Sequence, residues 1–180
     1  MNKISVIGAG TMGHSIALSV AWGNIPAYIY AIDVKEVERA TESILKKIET
    51  LVQSELLSER GSNQLLCNIH FTTSLDDCVK GTDFIIETVP ENLMIKKEIY
   101  RLIEAIIPQY IPIASNTSGI PTSNLSVEMI NPERFIITHF WNPAHLIPLV
   151  EVVPGKETSK ETVEKTMEML KRLNKKAILV

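Results

Sequence analysis

The chain has 180 residues, of which 45% are hydrophobic and 22% charged, a composition for one globular domain whose core needs no disulfide or metal staple. Its formal net charge of −3 selects neither nucleic acid nor an anionic membrane, and no apolar run reaches the ~20 residues of a bilayer span. Cys67 and Cys78 fit no metal or C-x-x-C spacing and are expected as reduced thiols of a cytoplasmic protein.

In chain order, Met1-Asn-Lys runs straight into an apolar run, Ile4 to Ile7, with no room for a signal peptide. Gly8-Ala-Gly10-Thr11-Met12-Gly13 follows and opens a helical pattern from Thr11 to Ala21. This is G-x-G-x-x-G between a strand and a helix. Gly8 permits the tight turn, Gly10 lets backbone approach a pyrophosphate, and Gly13 lets helix and strand pack closely. The helix N-terminus offers free N–H groups and positive dipole to phosphate. A second strand, Ala27 to Ile32, ends at Asp33, 20 residues beyond Gly13. A carboxylate there accepts both ribose hydroxyls and repels a 2′-phosphate, favouring NAD over NADP; the plain alternative is a solvated residue at a strand end.

Val37, Ile44, Ile48 and Leu51 recur at helical spacing, and a shorter pattern from Leu56 to Leu66 carries a break at Gly61-Ser62-Asn63. Together they exceed what a single crossover helix needs before the next strand, Asn68 to Thr72, and are read as a projecting helical arm or a decorative insertion. Lys46 and Lys47 lie on it, as a solvated face or as contacts for substrate phosphates. Ser74-Leu-Asp-Asp77 starts a capped helix. Asp83 to Val89 is an apolar strand buried on both faces. Glu91 to Ile107 is an amphipathic helix with Ile95, Ile99, Leu102, Ile103 and Ile106 on its inward stripe. Further strands are expected at Pro112–Ser115, Phe135–Phe140 and Leu149–Val153, with a short helix over Pro121–Met129. Thr158-x-x-Glu161 is a capping box for a helix with Val163, Met167, Leu170 and Leu173 inward. A last strand begins at Lys176. The alternation predicts an α/β, Rossmann-type, doubly wound and mostly parallel sheet with a helical arm after the second strand.

Four blocks give the chain its resemblance: Gly8 to Gly13, Val89-Pro-Glu-Asn-Leu-x-x-Lys96, Ser115-Asn-Thr-Ser118, and His139-Phe-Trp-Asn-Pro followed by Pro148-Leu-Val-Glu-Val-Val153. Over essentially all of its length it resembles the N-terminal NAD-binding domain of the 3-hydroxyacyl-CoA dehydrogenase family. The resemblance implies NAD as cofactor, held by Gly8, Gly10, Thr11, Met12, Gly13 and Asp33. It implies a catalytic pair, His139 and Glu151, twelve residues apart. An imidazole can take an alcohol proton at neutral pH, and a carboxylate on its other nitrogen fixes the tautomer. By the same resemblance Ser118 and Asn142 bond the reacting oxygen or the cofactor, and Glu91 and Lys96 contact the nicotinamide ribose side. Without the resemblance, His139 reads as a core histidine, Ser118 and Asn142 as turn caps, and Glu91 and Lys96 as ordinary helix charges; an unpaired Glu151 in an apolar strand would be costly.

The segment after Asn142, Pro-Ala-His-Leu-Ile-Pro-Leu, departs from the acyl-CoA members and is closer to gulonate and carnitine dehydrogenase relatives and the lens crystallin. His145 within it is a candidate substrate contact or a surface loop residue. The family's helical C-terminal domain, which carries its main dimer contact, is expected to be absent from residues 1–180, so the chain reads as the cofactor-binding half of a homo-oligomeric enzyme. The expected reaction is oxidation of a 3-hydroxyacyl-CoA to its 3-oxo form. A small free 3-hydroxy acid as substrate, a non-catalytic NAD(H)-binding module and an FAD-binding domain are the alternatives.

Overall fold

The computed structural model describes residues 1–180. One eight-stranded sheet runs through it: β1 (Ile4–Ile7), β2 (Ala27–Tyr30), β3 (Ile69–Thr72), β4 (Phe84–Glu87), β5 (Ile113–Ser115), β6 (Phe135–Phe140), β7 (Leu149–Pro154) and β8 (Lys176–Leu179). Their spatial order is β3-β2-β1-β4-β5-β6-β7-β8. All neighbours pair in parallel except β6 and β7. The chain winds outward in one direction from β1 to β3 and in the other from β4, so β1 and β4 flank the switch point, where a crevice opens beyond the strands' C-terminal ends. Strands β1 and β4 are buried at every residue, which is why they read as continuous apolar runs.

Helix α1 (Thr11–Trp22) is buried along Gly13–Ala21, between the sheet and the arm. The arm is two helices, α2 (Val34–Gln53) and α3 (Glu59–Cys67). Ala40, Ile44, Ile48 and Leu51 of α2 close over α1 as part of the larger core cluster. Gly61 does not interrupt α3 as its sequence suggests: Ser58 is the N-cap and accepts the Gly61 N–H at 3.1 Å, so the glycine sits in the first turn. On the opposite face lie α4 (Leu75–Val79), α5 (Leu93–Glu104) and α6 (Thr122–Ser126). Helix α7 (Lys160–Arg172) covers the β6–β8 end. Its N-cap is Ser159, which accepts from Thr162 N at 3.1 Å; Thr158 is not the cap, because its hydroxyl donates to Phe135 O at 2.6 Å and ties the turn to β6.

The inward face of α5 differs from the expected stripe. Lys96, Tyr100 and Ile103 are buried, whereas Ile95, Leu102 and Ile106 are exposed. The helix is rotated so that a lysine and a tyrosine reach the buried end of β4. Asn92 caps it, with Oδ1 accepting from Met94 N at 2.9 Å and Ile95 N at 3.2 Å.

Candidate active site

The residues singled out from sequence collect at one edge of the sheet because five consecutive neighbours are parallel. Gly8 follows β1, Asp33 follows β2, Glu91 follows β4 and Ser118 follows β5, while His139 lies near the C-terminal end of β6. The antiparallel strand β7 then runs back from that edge. Its register places Glu151 directly opposite His139, and directly opposed residues project from the same face.

His139 Nδ1 donates to Glu151 Oε2 at 2.7 Å, with side chains 25% and 36% exposed. Once Nδ1 carries the proton, Nε2 keeps its lone pair. Ser118, His139 and Glu151 line one cavity of about 240 Å³ together with Thr117, Gly119 and Ile137. Trp141 leans over the imidazole at 5.5 Å between ring centroids. Asn142, three residues beyond His139, is exposed on the β6–β7 connection and is not among the residues lining that cavity. The Ser118 loop is pinned on both sides. Asn116 Oδ1 accepts from Phe140 N at 2.9 Å, and Glu91 Oε1 accepts the Thr117 hydroxyl and the N–H groups of Ser118 at 3.2 Å and Gly119 at 3.3 Å. Partial burial pushes the Glu91 carboxyl upward, but the Thr117 hydroxyl, the Lys96 ammonium and the two loop amides outweigh it and hold the group below its ordinary range.

The glycine turn has the shape of a dinucleotide cradle. A Cβ on Gly13 would stand 1.9 Å from Gly8 O, so helix and strand touch only because it is glycine. Gly8 takes φ +107°, where a side chain is strained and would meet Thr88. Beside Gly10 the space is open for 4 Å, which is where a pyrophosphate can approach the N-terminus of α1, at Thr11 and Met12. Asp33 Oδ1 caps α2 by accepting from Glu36 N at 2.7 Å, leaving Oδ2 toward the exposed edge. These residues fit NAD.

The Lys96 ammonium is drawn inward. Its side chain is 1% exposed, and its ammonium lies 2.8 Å from Glu87 Oε1, 3.2 Å from Val89 O and 3.4 Å from Glu91 Oε2. The first two are hydrogen bonds and the third is an ion pair. Glu87, which sequence reasoning passed over, is fully buried; a glutamate closing the run Phe84-Ile-Ile was the available signal.

Two of the remaining histidines, His14 and His145, fall into a second, basic cluster. His14 Nδ1 donates to Ala9 O at 3.3 Å, and Lys47 Nζ donates to its Nε2 at 2.9 Å, so Lys47 is turned inward while Lys46 pairs with Glu42 on the solvent side. His145 Nδ1 is 2.9 Å from Ser15 Oγ. Its imidazole is pushed down to about 4 by burial, then by Lys47, Lys175 and His14. A cavity of about 320 Å³ beside it, lined by Ser19, Trp22, His145 and Lys175 among others, is the larger of the two. Size does not mark it as the reaction site, because no carboxylate orients His145 as Glu151 orients His139. His70 stacks on Tyr28 at 4.6 Å and is structural.

Residues 3–180 match the family model described as the NAD-binding domain of 3-hydroxyacyl-CoA dehydrogenase. Among relatives, 5-formyl-3-hydroxy-2-methylpyridine 4-carboxylate 5-dehydrogenase of Mesorhizobium japonicum is 34% identical over 180 residues, all of this chain and 57% of its own. The lambda-crystallin homolog of Rattus norvegicus is 32% identical over 178 residues, 98% of this chain and 56% of its own. The crystal structure of (S)-3-hydroxybutyryl-CoA dehydrogenase from Ralstonia eutropha superposes with a TM-score of 0.96 at 33% identity, covering 100% of this chain and 63% of that one. The chain thus spans little more than half the length of these relatives. With the glycine cradle and the strand order, the match establishes that the chain belongs to the 3-hydroxyacyl-CoA dehydrogenase family of oxidoreductases and is its NAD-binding Rossmann domain.

Proposed function

We propose that the chain is the cofactor-holding part of an NAD-dependent dehydrogenase that oxidises the 3-hydroxyl of a 3-hydroxyacyl-CoA. The observation that carries this reading is the His139–Glu151 hydrogen bond of 2.7 Å across the β6–β7 pair, in one cavity with Ser118. NAD, when bound, accepts a hydride from the substrate's C3. His139 Nε2 takes the hydroxyl proton, and Glu151 orients the ring and balances the charge that forms on it. The Ser118 hydroxyl donates to the substrate oxygen, and Asn142 does so from the β6–β7 connection. Gly8, Gly10, Thr11, Met12, Gly13 and Asp33 hold the cofactor, and Glu91 faces its ribose.

A second substrate class is favoured by the segment Pro143–Leu149 and by the 34% identity to an enzyme named for a pyridine carboxylate. In that reading a small free hydroxy acid replaces the acyl-CoA and the proton chemistry is unchanged.

The test compares reduction of acetoacetyl-CoA and of free acetoacetate by a turnover-competent form of the protein, with His139→Gln as control. The thioester is expected to react faster, and His139→Gln to lose turnover by about 10²–10⁴-fold with NADH affinity intact. Equal turnover by the variant removes the role of His139; faster reaction of the free acid replaces the substrate class.

A further inference from the structure

Four buried polar side chains beneath the Ser118 loop have no part in moving the substrate's proton. Glu87 ends β4, and both of its carboxylate oxygens are fully engaged. Oε1 accepts from Lys96 Nζ at 2.8 Å and Val89 N at 2.7 Å, while Oε2 accepts from Tyr100 Oη at 2.5 Å and Ser115 Oγ at 2.7 Å. Lys96 passes the connection on to Glu91 at 3.4 Å, and Glu91 holds the Thr117 hydroxyl and the amides of Ser118 and Gly119. A continuous path of hydrogen bonds joined by one ion pair thus runs from the core face of α5, through the end of β4, to the loop that faces His139.

The arrangement is an expensive way to close a strand end. Burying a glutamate and a lysine costs more than burying apolar residues of the same volume and earns little net stability. The exposed Ile95 and Leu102 show that α5 had apolar residues to turn inward instead. What the network supplies is geometry. Glu87 holds Lys96 by a hydrogen bond, the Lys96 ammonium draws Glu91 as an ion pair, and Glu91 holds the amides of Ser118 and Gly119.

We propose that Glu87, Lys96 and Tyr100 are positioning residues that act through Glu91 to fix the Thr117–Gly119 loop, and so set where the Ser118 hydroxyl stands relative to His139. The assignment rests on the reading of Ser118 as the ligand of the substrate oxygen.

The test is Glu87→Gln/Lys96→Met, which removes both buried charges together and leaves neither unpaired. Backbone order parameters measured by NMR on the 180-residue chain are expected to fall at Ser118 and Gly119 from about 0.85 to below about 0.6, while those of Ile4–Ile7 in β1 stay at the wild-type level. In a turnover-competent form kcat is expected to fall tenfold or more. Unchanged order at Ser118 and Gly119, an equal loss of order in β1, or unchanged kcat would each overturn the proposal. Tyr100→Phe keeps both charges and serves if the double variant does not fold; it is expected to loosen the same two amides by a smaller amount. The order parameters need neither cofactor nor substrate, so the loop result is read independently of the dehydrogenase reading, which the acetoacetyl-CoA assay tests.

Discussion

His139 and Glu151 are separated by twelve residues and meet because one antiparallel pair, in one register, puts them opposite each other. The carboxylate's contribution is orientation as well as charge. Glu151→Gln keeps the shape but lets the amide donate or accept, so the imidazole can take the wrong tautomer. Turnover is expected to fall by about 10²–10⁴-fold with NADH affinity unchanged, as steady-state rates beside a fluorescence titration will show. His145 makes a different prediction. Burial first, then Lys47, Lys175 and His14, lowers its pKa to about 4, against about 6.5 for a free imidazole. Between these values the unfolded chain binds the proton and the folded chain does not, so stability falls as the pH drops from about 6.5 towards 4. The half-buried ring supports a loss of about 1–2 kcal/mol after discounting for solvent screening. His145→Asn should flatten that part of a denaturant-midpoint curve against pH; an equally steep curve would show that other groups control acid unfolding.

At the scale of elements, the glycine turn separates packing from binding. Gly13→Ala would place a methyl 1.9 Å from Gly8 O, a backbone contact that cannot rotate away. The variant is expected to lose about 3 kcal/mol or more as α1 is forced off β1. Gly10→Ala adds its methyl to open space, so stability should stay within about 0.5 kcal/mol while NADH binding weakens tenfold or more. Thermal melts and NADH titrations of the pair decide it; loss of stability at Gly10 would mean that this glycine too is there for packing. This turn was legible in sequence because each glycine answers a local steric demand, and β6 was legible because its apolar run lies between Arg134 and the Asn142-Pro143 turn. What stayed hidden depends on distant partners. The inward face of α5 could not be read from apolar periodicity, since Glu87 turns Lys96 and Tyr100 inward. Thr158 satisfies the capping pattern, but Phe135 O, 23 residues away, takes its hydroxyl. Lys47 looks like its neighbour Lys46 until the imidazole of His14 is placed beside it.

For the whole molecule, the relevant fact is that every candidate cofactor residue lies on one edge of one continuous sheet, from Gly8 and Asp33 to Glu91 and Ser118. Two hydrophobic clusters hold this edge: one joins α1, the arm and α7, and the other joins α5, α6 and β5. No group of three or more His, Cys, Asp or Glu is placed to hold a metal ion, and no helix is long and apolar enough to cross a membrane. The 180-residue chain is expected to bind NADH through this edge, although its relatives are nearly twice as long. A ligand that binds only the folded state stabilises it by about 2.7 kcal/mol at a hundred times its dissociation constant. For a domain of this size that raises the melting temperature by about 5–10 °C. NADPH should give a clearly smaller rise, because Asp33 would face its 2′-phosphate, and Asp33→Ala should narrow the gap between the two cofactors. Equal rises with NADH and NADPH would remove Asp33 from cofactor choice. No rise with either would mean that the cradle around Gly10 holds a dinucleotide only when the cleft beside it is closed by further structure.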